Sequence, residues 1–305
     1  KNYLVPGKTG LLIGIGGVSM SPLAEVLHDA GLDIRGSDMA ESSNTLTLRE
    51  RGIPIHIGHS ADNVTDDISF VIRTAAVHDD NPEVHEAHRR GIPVFERTQA
   101  WGALMRGYQN ALCISGTHGK TTTTSMCTHI MMAAEKDPTV MIGGTLPLLK
   151  ACHRVGKGNT IIMESCEYYN SFLALNPTIA VVLNIEADHL DFFKDLEDIK
   201  HSFRCFAERV PAETGTVIAN YDDANTMDAL RGIARKVITF GLNAKADVYA
   251  QNIVHRGSVS EFDIYHRGNY FARVTLHVPG IHNVRNALAA TAAAIVLGVS
   301  PNAVK

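Results

Sequence analysis

The stretch Ala111–Thr124 reads ALCISGTHGKTTTT, and its order decides the fold. Ala111 to Ser115 is an apolar run of strand length, Gly116-Thr117-His118-Gly119 is a turn, and the spacing predicts a helix from Thr121 to about Ala134. A strand that runs through glycines into a helix is the context a phosphate cradle needs. Glycines let backbone amides turn inward, the helix N-terminus favours negative charge, and a lysine at its start reaches the outer phosphates. Lys120 is that lysine, and the next hydroxyl, Thr121, is placed to bind Mg²⁺. The string departs from GxxxxGK[ST] at Ile114, which stands where the leading glycine would be. The competing explanation is an ordinary glycine turn. Thr121 to Thr124 counts against it: four β-branched residues start a helix poorly unless hydroxyls are needed there.

Working outward, strand and helix signals alternate on both sides. Before the loop, strands are expected at Thr9–Ile15, Asp33–Arg35, Ile53–Ile57, Ile68–Thr74 and Ile92–Phe95. Helices are expected from Ser21, read as an N-cap before Pro22, from a cap at Asn44, and over Pro82–Arg90. Beyond it, strands are expected at Thr160–Glu164, Thr178–Asn184, Thr216–Asn220 and Val237–Phe240, with a helix over Leu196–Glu208. An antiparallel meander is expected within Asp247–Val278, and an Ala-rich helix over Asn283–Leu297. Strands separated by helices imply parallel pairing and doubly wound α/β sheets. The polar stretch Arg106–Asn110 reads as the boundary, giving domains at 1–107 and 108–305.

A second glycine turn, Gly14-Ile15-Gly16-Gly17, also lies between strand and helix. It resembles the dinucleotide fingerprint, but Ser19 stands where the last glycine of GxGxxG would be. Asp38, after the second strand, is where an acid would meet a ribose or base. The turn points to a diphosphate on a helix N-terminus, against a tight turn with no ligand. Glu164 ends one strand of the second series and His189 follows another, so both face the sheet edge of the phosphate loop. A carboxylate there can hold Mg²⁺ directly or through water. A histidine is a softer choice, so His189 reads equally as a phosphate or metal-bound-water contact.

Composition narrows the class. The chain has 305 residues, enough for about two domains, with 45% hydrophobic and 20% charged residues. A formal net charge of -4 suits neither a nucleic-acid coat nor an anionic membrane, and no apolar run reaches the ~20 residues of a membrane span. Lys1 to Gly10 does not read as a signal peptide. Five cysteines without CxxC spacing predict a reducing cytoplasm and mostly buried thiols.

Together these motifs resemble the Mur ligase family. The resemblance rests on Gly14-Ile15-Gly16-Gly17 with Met20, Ala24 and Glu25, on Gly36-Ser37-Asp38, and on Asn81-Pro82-Glu83. It continues through Gly116 to Thr124, Asn184 to His189, and His282-Asn283-Val284-Arg285-Asn286-Ala287. It implies a Rossmann-like N-terminal domain with a doubly wound parallel sheet, then a central P-loop ATPase-type α/β domain with a small antiparallel sheet. The activity implied is ATP-dependent ligation of L-alanine to UDP-N-acetylmuramic acid through an acyl phosphate. The family also holds a tripeptide-recycling ligase. A non-catalytic nucleotide-binding protein and a nicotinamide-dependent oxidoreductase are the readings from other classes, and the second leaves Gly116 to Thr124 unexplained.

Residue by residue, the resemblance puts the UDP-substrate on Gly14, Gly16, Gly17, Ser37 and Asp38. It puts ATP on Gly116, Thr117, His118, Gly119, Lys120, Thr121, Thr122, His282, Asn283 and Asn286. Lys120, Glu164 and His189 would be catalytic, and Thr121, Glu164 and His189 would carry Mg²⁺. Asn283 reads also as an N-cap of the Ala-rich helix. Glu167-Tyr168-Tyr169 replaces a more acidic stretch of some relatives, Pro22 stands where a small residue is common, and no counterpart to a modified lysine of several relatives is found. The family's third, C-terminal domain has no counterpart in the chain, so a two-domain fragment that binds nucleotides and ligates poorly is expected.

Overall fold

The computed structural model describes residues 3–74 and 76–305. Lys1 and Asn2, which open the segment read as no leader, lie outside the described residues. The chain divides into two compact units, Lys1–Leu104 and Met105–Lys305.

The first unit carries β1 (Thr9–Ile13), α1 (Ser21–Asp29), β2 (Asp33–Asp38), α2 (Ser43–Glu50), β3 (Ile55–Ile57), β4 (Ile68–Arg73), α3 (Pro82–Arg89), β5 (Val94–Glu96) and the start of α4 (Arg97–Met105). Its sheet runs β3-β2-β1-β4-β5 with every pair parallel. Strand order reverses between β1 and β4, and ligands of such sheets enter at that reversal, beyond the carboxyl ends of the strands. Leu11, Ile13, Val71 and Val84 are fully buried in its core.

Two caps differ from expectation. Met20, not Ser21, precedes α1, because the Gly17 carbonyl takes the amides of Met20 and Ser21 and leads the turn into the helix. Ser42, not Asn44, caps α2: Ser42 and Thr45 exchange side-chain and backbone hydrogen bonds in a capping box. Asn44 instead donates to the Gly16 carbonyl at 2.8 Å.

The second unit carries β6 (Asn110–Ser115), α5 (Lys120–Ala133), β7 (Thr139–Leu146), β8 (Ala151–Arg154), β9 (Thr160–Glu164), β10 (Ile179–Val182), α6 (Leu196–Ala207), β11 (Thr216–Asn220) and α7 (Ala224–Ala229). Then come β12 (Lys236–Gly241), β13 (Val248–Arg256), β14 (Val259–His266), β15 (Asn269–Leu276), α8 (Ile281–Val296) and α9 (Pro301–Val304). One ten-stranded sheet holds all of these strands, in the order β15-β14-β13-β12-β11-β10-β6-β9-β7-β8. The antiparallel meander continues the parallel sheet, since β13 pairs parallel with β12 at Phe240–Val248. Strands β7 and β8 were not expected. Gly143 and Gly144 interrupt the pattern there, and β8 is an antiparallel edge strand. The largely buried α8 owes its start to Gly280 at φ +98°, so Asn283 lies inside the helix and is not its cap.

The thiols are less buried than expected. Cys113 and Cys127 are buried and pushed up to about 12 by desolvation, whereas Cys166 is exposed. Among the described residues no helix is long and apolar enough to cross a membrane.

Candidate functional site

In the second unit β6 is central, and the chain leaves its carboxyl end through Gly116 (φ +146°) and Gly119 (φ +85°) into α5. A Cβ on Gly119 would lie 2.6 Å from Asn286 Oδ1, so position and backbone both demand glycine. No side chain caps α5, and Thr123 N, which donates to Gly119 O, is its first internal donor. The preceding amides therefore form an uncapped helix start, the arrangement that attracts an anion.

The loop is held by residues that follow β10. Thr117 N donates to Asn184 O at 3.0 Å, His118 N to Asn184 Oδ1 at 2.8 Å, and Asn184 Nδ2 to His118 O at 3.0 Å. Glu186 N donates to Thr117 Oγ1 at 2.9 Å. Asn184 was read only as part of a string. An amide side chain offers one donor and one acceptor, which lets it pair with a backbone as a strand would.

Lys120 folds back over the loop. Its Nζ donates to the Gly116 and Thr117 carbonyls at 2.5 and 3.2 Å and lies 3.1 Å from Glu167 Oε2. The Glu167 side chain is only 3% exposed, a partner that sequence reading had noted merely as a departure. Thr121 Oγ1 donates to Glu164 Oε1 at 2.9 Å, while Gly143 N on the unexpected strand β7 donates to Glu164 Oε2 at 2.6 Å. A Cβ on Gly143 would sit 2.7 Å from that carboxylate.

His189 has φ +53° and its Nε2 is 3.8 Å from Glu167 Oε1. Its ring stacks on Tyr168 with centroids 4.4 Å apart. The Tyr168 hydroxyl donates to Asp191 at 2.5 Å, and this hydrogen bond raises the phenol above its usual range. The expected trio of Thr121, Glu164 and His189 is thus two neighbouring pairs, Thr121 with Glu164 and His189 with Glu167. Among the described residues no three His, Cys, Asp or Glu side chains form a metal cluster. The donors fit Mg²⁺ all the same, because that ion keeps several waters and takes only one or two carboxylates beside phosphate oxygens.

Beyond the loop lies a cleft of about 410 Å³ lined by His118, Gly119, Asn184, Asp222, His282 and Asn286. His282 and Asn286 line it. Asn283 does not: its Nδ2 donates to Pro279 O at 2.7 Å, and its Oδ1 accepts from Asn286 at 3.3 Å. The exposed His118 ring is 3.4 Å from Glu186. Thr122 is half-buried on α5. Sequence reading missed Asp222, which accepts from Leu242 N and faces Arg285 at 3.8 Å.

In the first unit the glycine turn is tied to its neighbours. Gly14 N donates to Ser37 O at 2.8 Å, Gly16 N to Asp38 Oδ2 at 2.8 Å, and Gly17 N to Gly14 O at 3.1 Å. The three amides expected to cradle a diphosphate are therefore used within the protein, and one Asp38 oxygen is used with them. Ser37 is fully buried and donates to Glu83 at 2.8 Å, so it supports the turn from beneath and does not face a ligand. Glu83 also takes His59 at 2.7 Å and Asn63 at 2.7 Å.

Comparison with known proteins agrees with this architecture. Residues 12–109 match the model of the Mur ligase family, catalytic domain, and residues 114–294 that of the Mur ligase middle domain. The UDP-N-acetylmuramate–L-alanine ligase of Caldicellulosiruptor saccharolyticus is 44% identical over 295 residues, which is 96% of this chain and 64% of that protein. That of Agathobacter rectalis is 45% identical over 293 residues, again 96% and 64%. The chain thus spans about two thirds of the length of the curated relatives it matches, slightly less at 64%. Among solved structures, the UDP-N-acetylmuramate–alanine ligase of Thermotoga maritima superimposes with a TM-score of 0.78 at 31% identity, covering 97% of this chain and 66% of that one. A ligase from Neisseria, named for UDP-N-acetylmuramate and L-alanyl-γ-D-glutamyl-meso-diaminopimelate, gives 0.85 at 26%, covering 98% and 96%. With both glycine turns and both sheets matched, the chain belongs to the Mur ligase family.

Proposed function

We propose that this chain supplies the nucleotide-handling parts of an ATP-dependent ligase that joins L-alanine to UDP-N-acetylmuramic acid. The observation that carries the reading is the head of α5: an uncapped helix start, with Lys120 and Thr121 each already set against a carboxylate at one sheet edge. The substrates come from the names of the relatives at 44–45% identity.

In this reading the lactyl carboxylate of UDP-N-acetylmuramic acid attacks the γ-phosphorus of ATP. An O–P bond forms, the bond to the bridging oxygen breaks, and ADP leaves with that electron pair. The amine of L-alanine then adds to the acyl carbon, loses a proton and expels phosphate. Lys120 moves from Glu167 and the loop carbonyls to the transferring group and offsets its charge. The α5 amides fix the phosphates, Asn184 holds the loop that presents them, and His282 and Asn286 receive the nucleoside. Thr121 and Glu164, with His189 beside Glu167, would hold Mg²⁺, which offsets phosphate charge when bound. ATP and a nucleotide-sugar substrate place the reaction in the cytoplasm.

The test is phosphate release by the full-length protein that requires both UDP-N-acetylmuramic acid and L-alanine. The Neisseria structure favours a peptide amine as the second reading, so L-alanyl-γ-D-glutamyl-meso-diaminopimelate is the rival co-substrate. ATP binding without any binding of UDP-N-acetylmuramic acid would overturn both.

A further inference from the structure

Of the seven arginines between residues 1 and 104, six (Arg35, Arg49, Arg51, Arg73, Arg89 and Arg90) lie within ion-pair distance of a carboxylate. The seventh, Arg97, has no such partner among the described residues. It is half-buried, and desolvation pushes its guanidinium below the usual range. The carboxylate next to it, Glu96, is held by Arg73 at 2.9 Å. The partner that Arg97 does have is neutral: its terminal nitrogen donates to the Ser19 hydroxyl. A guanidinium drawn out of water toward a neutral hydroxyl is an incomplete arrangement, because burial of a cation is costly until an anion joins it.

Its position says where that anion would come from. Ile13 lies opposite Arg73, and Arg73 lies opposite Glu96, so Arg97 starts one residue past the sheet edge from which Gly14 departs. Ser19 belongs to the segment between the glycine turn and α1. This is the crevice where strand order reverses. The amides of Gly14, Gly16 and Gly17 are engaged internally, so these three are not free to neutralise a doubly charged group.

We propose that Arg97 is the cation that binds the diphosphate of the nucleotide-linked substrate, with Ser19 as its hydroxyl partner. The proposal rests on the substrate reading above and adds the residue that holds its charge. A planar guanidinium suits two phosphate oxygens at once, which a lysine cannot match.

Trp101 provides the probe. It is the single tryptophan, it is 3% exposed, and it lies one turn along α4 from Arg97. Titrations of the 305-residue chain with UDP-N-acetylmuramic acid, UDP and uridine, read by Trp101 fluorescence and by calorimetry, should give three results. Arg97→Gln weakens both diphosphates roughly ten- to hundred-fold, the loss expected for charge-assisted hydrogen bonds. Arg97→Lys falls between Arg97→Gln and the natural protein. Uridine, which lacks phosphate, binds the same to all three. Without ligand, Arg97→Gln raises the thermal midpoint by ~2 °C, because an unpaired buried cation is removed. A residue that only supports the fold would lower it.

If the natural chain binds UDP and Arg97→Gln binds it equally well, or if the variant loses uridine to the same degree, the Arg97 assignment is wrong. If the natural chain binds none of the three, the substrate reading fails before Arg97 is tested.

Discussion

The two glycine turns of this chain follow one plan and differ in what they leave available. Gly14–Gly17 and Gly116–Gly119 each join the end of an inner parallel strand to a helix. After β6, the turn's outer side is braced by Asn184, and the start of α5 remains uncapped with Lys120 at its head. After β1, the amides of Gly14, Gly16 and Gly17 are satisfied by Ser37 O, Asp38 and Gly14 O, and no lysine or arginine stands in the segment 14–20. A glycine pattern therefore reports how sharply the backbone bends. Whether the bend can hold an anion depends on where amide donors go and where the nearest cation sits.

The largest expected effect comes from removing the cation of the second turn. Lys120→Met should lower phosphoryl transfer in the full-length protein by about 10²–10³-fold, the size of losing one preorganised donor to developing charge. It also strands the buried Glu167, so the thermal midpoint should fall. The double variant Lys120→Met with Glu167→Gln separates these effects: stability returns and turnover does not. Turnover that recovered together with stability would mean Lys120 serves the fold and the comparison of the two turns is empty. Gly119→Ala comes next. It forces a side chain into φ +85° and toward Asn286, at a cost of ~1–3 kcal/mol in folding stability by chemical denaturation. Gly16→Ala, whose φ is not left-handed, should cost less, with the clash falling on the side chains of Asp38, Thr45 and Ser42.

Much of this was legible in the sequence, for identifiable reasons. β9, from Thr160 to Glu164, and β11, from Thr216 to Asn220, were expected with their observed limits because each is a short apolar run between turns. The positions of Lys120 and Thr121 were legible because the loop fixes side-chain order into α5, and that of Glu164 because it ends strand β9 at the sheet edge. What sequence order does not encode is the partner of a side chain across the sheet. Glu167 and Asn184 reach Lys120 and the loop from 47 and 66 residues away, and Gly143 reaches Glu164 from 21. β7 escaped because Gly143 and Gly144 interrupt its apolar pattern. Asn44 and Asn283 do not cap because each side chain donates to a backbone carbonyl, Asn44 to distant Gly16 and Asn283 to nearby Pro279, while Ser42 and Gly280 begin the helices.

Two smaller effects sharpen the comparison. Asn184→Ala removes two hydrogen bonds to the His118 backbone while leaving Lys120 in place. It should weaken ATP binding about thirtyfold, at ~1 kcal/mol net for each of the two hydrogen bonds, and leave UDP binding unchanged. Equal losses for both nucleotides would show that Asn184 supports the fold at large.

The smallest effect belongs to the surface of the first unit, where the paired arginines contrast with Arg97. Glu86 accepts from Arg89 and Arg90, and these hydrogen bonds lower its carboxyl to about 2. A group depressed in the folded state contributes stability that is present above its unfolded value, ~4.3, and is lost as pH falls through about 2. Glu86→Gln should therefore flatten the acid side of the stability profile between roughly pH 4.3 and 2 and change little at pH 7 beyond a surface pair's modest share. Because the pair is near the surface, 0.5 M salt should shrink the difference. Arg97→Gln offers the opposite signature in the same unit, with a midpoint that rises and no dependence on carboxylate titration. An acid limb that Glu86→Gln left unchanged would place the control of acid stability with other carboxylates of this unit.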